Sequence, residues 1–189
     1  MSDFGRCIYL TGFMGSGKST IGPILANVLG YDFVDLDEAV EERAGKPVPQ
    51  IFAEDGEAAF RALEATMLRE TGARHNVVVA LGGGAMTVED NLQWALANGA
   101  VVYLKVTLDS LIRRLRRGRM VRPLLLDDAG QRLSTADLRE KIKALMDRRE
   151  PFYERAHVVV EIANQRVGIT VDEVVKAVRR YGKGRNPKS

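Results

Sequence analysis

Short apolar runs alternate with stretches in which apolar residues recur every three or four positions, and the alternation continues along the whole chain. Runs at Cys7 to Leu10, Asp32 to Asp35, Val77 to Leu81, Val101 to Val106 and His157 to Ile162 predict five strands. Ile21, Ile24, Leu25, Val28 and Leu29 mark a helix after the first strand. Ile51, Phe52, Phe60, Leu63, Met67 and Leu68 mark another over Pro49 to Thr71, behind a break at Gly45 to Pro49. Further helices are expected over Thr87 to Asn98, over Ser134 to Tyr153 with Ser134 or Thr135 as its cap, and over Val171 to Tyr181. Strands alternating with helices predict an α/β fold, a three-layer α/β/α arrangement around a five-stranded parallel sheet. Right-handed crossovers bring the C-terminal ends of such strands to one edge, and ligands bind there.

Composition narrows the class without naming a chemistry. A chain of 189 residues fits one domain, at about 100 to 200 residues per domain. With 46% apolar and 28% charged residues it has the balance of a globular protein. No apolar run approaches the roughly 20 residues that span a bilayer, and Met1 to Gly5 lacks a basic region followed by an apolar one. A cytoplasmic protein with no membrane partner is the expectation. Cys7 is the single cysteine, so no disulfide framework is expected and Cys7 reads as a packing residue. The net charge of +3 suits anionic small molecules and does not by itself indicate nucleic acid.

Gly12-Phe13-Met14-Gly15-Ser16-Gly17-Lys18-Ser19 fits G-x-x-x-x-G-K-[ST], and a predicted strand precedes it while a predicted helix follows. Gly15, Ser16, Gly17, Lys18, Ser19 and Thr20 are therefore expected to wrap a nucleotide polyphosphate. Backbone N–H groups and the helix N-terminus face the anion, Lys18 neutralises its β/γ charge, and the Ser19 hydroxyl ligates Mg²⁺.

The other strand ends carry chemistry too. Asp35 and Asp37, at i and i+2, leave the second strand on one side of an extended segment. One can help hold Mg²⁺ and the other can accept hydrogen bonds from a hydroxyl that attacks phosphorus; alternatively, Asp37 caps a helix over Glu38 to Arg43. Gly82-Gly83-Gly84 follows the third strand, where a tight turn needs one glycine and three allow backbone to approach a ligand. Arg61 and Glu64, at i and i+3, read from spacing alone as a solvated surface pair. The basic stretch from Arg113 through Arg122, broken by Gly118 and Pro123, reads as an Arg-bearing lid over about 117–131, most of its other arginines being solvated helix faces. Residues 182–189 are basic and Gly/Pro-containing and read as a frayed tail.

Taken with Ile51-Phe52, Gly56-Glu57, Phe60-Arg61, Glu64, Arg122-Pro123-Leu124-Leu125 and Arg149-Glu150-Pro151-Phe152-Tyr153, these motifs resemble those of shikimate kinases, in the nucleoside-monophosphate-kinase-like group of P-loop kinase folds. The resemblance runs from about Cys7 to Tyr181. It implies strand order 2-3-1-4-5, a monomer, and transfer of the γ-phosphoryl of MgATP to the 3-hydroxyl of shikimate, a step toward chorismate and the aromatic amino acids. It makes Asp37 the group that binds and activates the hydroxyl, with Lys18 and Arg122 also catalytic. Arg61 and Arg149 become the clamp for the shikimate carboxylate, Gly83 a backbone contact, about 35–64 the substrate-binding region, and Gln165 or Arg166 the adenine side. In the clamp, two arginines grip a planar carboxylate bidentately. No separate acidic residue follows the third strand, where the glycines stand, so Asp35 carries more of the Mg²⁺ work.

Two rival readings share part of this set. A gluconate or nucleotide kinase would have the loop and the lid without the carboxylate clamp, so the coexistence of Arg61, Gly82-Gly83-Gly84 and Arg149 separates them. A P-loop switch protein would need no Arg-bearing lid.

Overall fold

The computed structural model describes residues 7–117, 125–126, 130–163 and 165–185. Among these, five strands pair in parallel in the order β2-β3-β1-β4-β5. They are β1 (Cys7–Thr11), β2 (Asp32–Asp35), β3 (Val77–Ala80), β4 (Ala100–Val106) and β5 (Val158–Ile162). Each lies within a residue of its expected run, and the order is the one the resemblance implies. Every residue of β1 and β3 is buried, which is why these strands read as continuous apolar runs: helices cover both faces and leave no side for polar residues. The edge strands β2 and β5 are partly exposed.

Eight α-helices complete the described layers: α1 (Lys18–Leu29), α2 (Leu36–Ala44), α3 (Val48–Glu54), α4 (Gly56–Gly72), α5 (Glu89–Asn98), α6 (Leu108–Arg117), α7 (Thr135–Tyr153) and α8 (Val167–Arg185). The step from β1 to β2 crosses the sheet one way and those from β2 to β3, β3 to β4 and β4 to β5 the other. Right-handed crossovers therefore set α1 on one face and the intervening helices on the opposite one. Helix α8 returns to pack against α1.

Four local expectations are corrected. The helix expected over Pro49 to Thr71 is two helices, because Gly56 takes φ 84° and turns the chain between α3 and α4. That turn lets Ile51 of α3 and Phe60 of α4 meet Val40 of α2 in a small apolar cluster of their own. Asp35, not Asp37, caps α2: its carboxylate accepts from the Asp37 N–H at 3.0 Å, leaving the Asp37 side chain unspent as a cap. The helix expected from Thr87 starts at Glu89, behind a 3-10 turn at Ala85–Thr87. The last helix is longer than expected at both ends, so residues 182–185 of the expected tail are helical.

Of the expected lid, Arg122 and its neighbours 118–124 and 127–129 lie outside the described residues. Its later part is anchored. Leu125 is buried, the Leu133 N–H donates to the Leu125 carbonyl at 3.0 Å, and Leu126 bridges antiparallel to Arg132.

Candidate active site

A cleft of about 860 Å³ opens at the C-terminal edge of the sheet. Residues from the ends of β1, β2, β3 and β5 line it, as expected for a parallel sheet.

One half of the cleft is the loop between β1 and α1. Gly15 and Gly17 take φ 78° and 107°, values open to glycine at little strain, and Gly17 is the N-cap of α1. The helix N-terminus thus faces the cleft, a ready anion site. Lys18 Nζ donates to the carbonyls of Gly12 and Phe13 at 2.7 and 3.2 Å, lying back along the loop it would leave to meet a phosphate. Ser19 Oγ donates to Asp35 Oδ2 at 3.0 Å. That hydroxyl–carboxylate pair, beside the phosphate loop, is a hard oxygen donor set of the kind Mg²⁺ takes together with phosphate oxygens and water. Among the described residues no group of three or more His, Cys, Asp or Glu gathers as a metal site.

The other half is built on Gly82-Gly83-Gly84. A Cβ at Gly82 would lie 2.6 Å from Asp37 Oδ1 and 3.0 Å from Glu64 Oε1, and one at Gly84 would lie 2.6 Å from an Arg61 guanidinium nitrogen. One at Gly83 would lie 3.3 Å from Arg149 NH1. Gly82 and Gly84 thus leave no room for a side chain unless the site's own carboxylates or Arg61 shift, and Gly83 is tight against Arg149. Arg149 NH1 donates to the Gly83 carbonyl at 3.2 Å, and its guanidinium lies 5.9 Å over the Phe13 ring. Arg61 donates to Glu64 Oε2 at 2.7 Å from within and to Glu57 Oε1 at 3.3 Å from the rim.

The surface-pair reading of Arg61 and Glu64 is overturned, because Glu64 is only 1% exposed. Helix α4 turns it under Gly82, a tertiary contact that spacing along one helix does not encode. Burial raises the Glu64 carboxyl above its ordinary pKa, against the opposing pull of Arg61. Asp37 as a residue faces the open cleft, but its carboxyl is walled by Gly82 and Asp35. Desolvation first, then the Asp35 charge, raise its pKa, while Lys18 lowers it. A carboxylate held above its ordinary value is a better proton acceptor near neutrality.

The shikimate kinase family model matches residues 14–179. The chain belongs to the shikimate kinase family. A shikimate kinase from Chlorobium luteolum is 47% identical over 173 residues, covering 92% of this chain and 85% of the relative. The crystal structure of shikimate kinase from Bacteroides thetaiotaomicron superposes with a TM-score of 0.83 at 37% identity, covering 90% of this chain and 97% of the other. A shikimate kinase from Acinetobacter baumannii, solved in complex with shikimate, gives 0.82 at 32% identity, covering 97% and 96%.

On this shikimate kinase fold, Asp35, Asp37, Arg61, Gly83, Arg149 and Gln165 all reach the same cleft as Gly15 to Thr20. Gln165 lines the cleft beside Val167 and Thr170, and its Nε2 donates to Thr170 Oγ1 at 3.3 Å and Glu173 Oε2 at 2.6 Å. Arg114 is a cleft residue that the sequence reading did not single out from a stretch whose arginines it took mostly as solvated. From α6 it reaches the phosphate loop, NH1 donating to the carbonyls of Gly15 and Ser16 at 3.3 and 3.2 Å. Its place on α6, one residue before the buried Leu115, was the available signal. No helix among the described residues is long and apolar enough to cross a membrane.

Proposed function

We propose that the protein transfers the γ-phosphoryl group of ATP to the 3-hydroxyl of shikimate, giving shikimate 3-phosphate and ADP on the way to chorismate. The observation that carries this reading is the meeting of one carboxylate, Asp37, with two arginines, Arg61 and Arg149, across a single cleft from the phosphate loop. A polyhydroxylated acid presents the complementary set, one carboxylate for two guanidinium groups and hydroxyls for a carboxylate.

In this reading the backbone of Gly15 to Thr20 wraps the β- and γ-phosphates, and Lys18 moves from the loop carbonyls onto them. Arg61 and Arg149 fix the acid's carboxylate, with Gly83 adding a backbone contact. Asp37 accepts a hydrogen bond from the 3-hydroxyl and takes its proton as the oxygen attacks phosphorus. Ser19 and Asp35 would hold Mg²⁺, which neutralises charge on the phosphates. Gln165 borders the adenine side, and Arg122 reaches the phosphates from the lid at about 117–131. The whole chain acts as one kinase domain and as a monomer, with about 35–64 as its acceptor side.

ADP release from purified protein and MgATP, measured separately with shikimate, gluconate and AMP, tests the assignment. Turnover with shikimate is expected, and turnover with gluconate or AMP in its place would sink it. Replacing Mg²⁺ by excess chelator should stop turnover, and Ser19→Ala should raise the Mg²⁺ concentration needed for half-maximal rate.

A further inference from the structure

Tyr153 closes the last turn of α7, one helical turn beyond Arg149, and is 1% exposed. Its ring lies against Tyr103 of β4, centroids 5.3 Å apart. Its hydroxyl donates to the Gly83 carbonyl, the same oxygen that receives Arg149 NH1. A carbonyl oxygen has two lone pairs, and here both have a donor from the same helix. Burial raises the Tyr153 hydroxyl above its ordinary pKa, so it remains a donor across the working range.

We propose that Tyr153 is a positioning residue for the acceptor acid: its hydroxyl fixes the Gly83 peptide and so leaves the Arg149 guanidinium available to the substrate carboxylate.

Gly83 stands between Gly82, which abuts Asp37 and Glu64, and Gly84, which abuts Arg61. A shift of its peptide bears most directly on the two clamp arginines, Arg149 on its own carbonyl and Arg61 against Gly84. Without the hydroxyl, Arg149 is the remaining donor that the structure gives this partly buried carbonyl. Arg149 must then either stay on Gly83 or leave that oxygen unsatisfied when it turns to a carboxylate, and both weaken acid binding. With the hydroxyl in place, the carbonyl stays satisfied whatever Arg149 does. The ring and its packing on Tyr103 serve the fold and are separable from the hydroxyl.

The inference rests on the reading of Arg149 as a carboxylate ligand, and the experiment separates the two. Steady-state kinetics are measured for the parent and for Tyr153→Phe with shikimate and with its methyl ester, alongside Arg149→Ala. Tyr153→Phe is expected to raise the KM for shikimate about tenfold, the loss of roughly one good hydrogen bond, with kcat and the KM for ATP within about twofold. Toward the ester, which offers no carboxylate, Tyr153→Phe and the parent should be equally poor.

An unchanged KM for shikimate in Tyr153→Phe overturns the proposal alone. Equal losses toward both ligands, or toward acid and ester alike, overturn it in favour of a folding role. An unchanged KM for shikimate in Arg149→Ala, or no turnover of shikimate by the parent, overturns the clamp reading and this proposal together.

Discussion

Gly82 passes so close to Asp37 that a Cβ there would lie 2.6 Å from the Asp37 carboxylate oxygen, with Glu64 Oε1 at 3.0 Å. No real Cβ tolerates that distance, so Gly82→Ala must push one or both carboxylates aside. The expected result is a fall in kcat of about 10² or more, the scale of a displaced general base. Gly84→Ala meets Arg61 instead, at 2.6 Å. It should chiefly raise the KM for shikimate. Steady-state rates for the two variants, with circular dichroism to check folding, distinguish these outcomes.

Arg61 and Glu64 predict a pH-dependent instability. Arg61→Ala leaves a buried carboxylate without its close cation, at a cost of about 1 to 3 kcal/mol while it stays ionised. Glu64 is already raised by burial and lowered by Arg61, so the substitution lifts it further. A carboxyl whose folded pKa exceeds its unfolded one contributes stability below the unfolded value and loses it as pH rises through the folded value. The loss of Tm in Arg61→Ala should therefore be larger near pH 8 than near pH 5. Arg149→Ala, which removes a hydrogen bond to a carbonyl, should show much less of this dependence.

Asp37→Asn separates chemistry from stability. Turnover should drop by about 10² to 10⁴ while the KM for ATP holds, because Lys18 and the loop are untouched. The Asp37 pKa is raised mainly by desolvation and by Asp35, so its ionised form weakens the fold as pH rises past that value. The amide removes that charge, and the Tm of the unliganded variant at neutral pH should equal or exceed the parent's. In the parent, kcat/KM should fall on the acid side through a pKa above the ordinary Asp value. A fully active Asp37→Asn would remove Asp37 from the chemistry.

Arg114 ties α6 to the carbonyls of Gly15 and Ser16. Arg114→Ala should raise the KM for ATP about five- to tenfold, the loss of one or two hydrogen bonds from a cation. The KM for shikimate should stay close to the parent value. Equal rises in both would assign Arg114 a general folding role.

Apolar runs located all five strands within a residue; those of β1 and β3 are unbroken because a sheet covered on both faces leaves no side for polar residues, whereas the edge strand β2 keeps only Phe33 and Val34 between two aspartates. The phosphate loop was legible because its backbone shape depends on glycines fixed in sequence between a strand and a helix. Asp35 and Asp37 were legible as a pair, but which of them caps α2 was not. That depends on one 3.0 Å contact to the Asp37 N–H, which composition cannot choose. The break at Gly56 was missed for a related reason: the apolar stripe continues across it, since Ile51 and Phe60 meet the same Val40 from two helices.

What the sequence by itself determined is the set of local, contiguous features: strand and helix order, the loop that holds phosphate, and the strand ends where chemistry stands. The tertiary structure alone decided which distant residues share a surface. Arg61, Glu64, Gly82 to Gly84, Arg149 and Tyr153 come from three separate stretches, and their roles exist only where α4 and α7 press on the turn after β3. The physical reason is that burial and charge compensation are properties of that packing, so the same Arg–Glu spacing is a solvated pair on a free helix and the wall of an active site here.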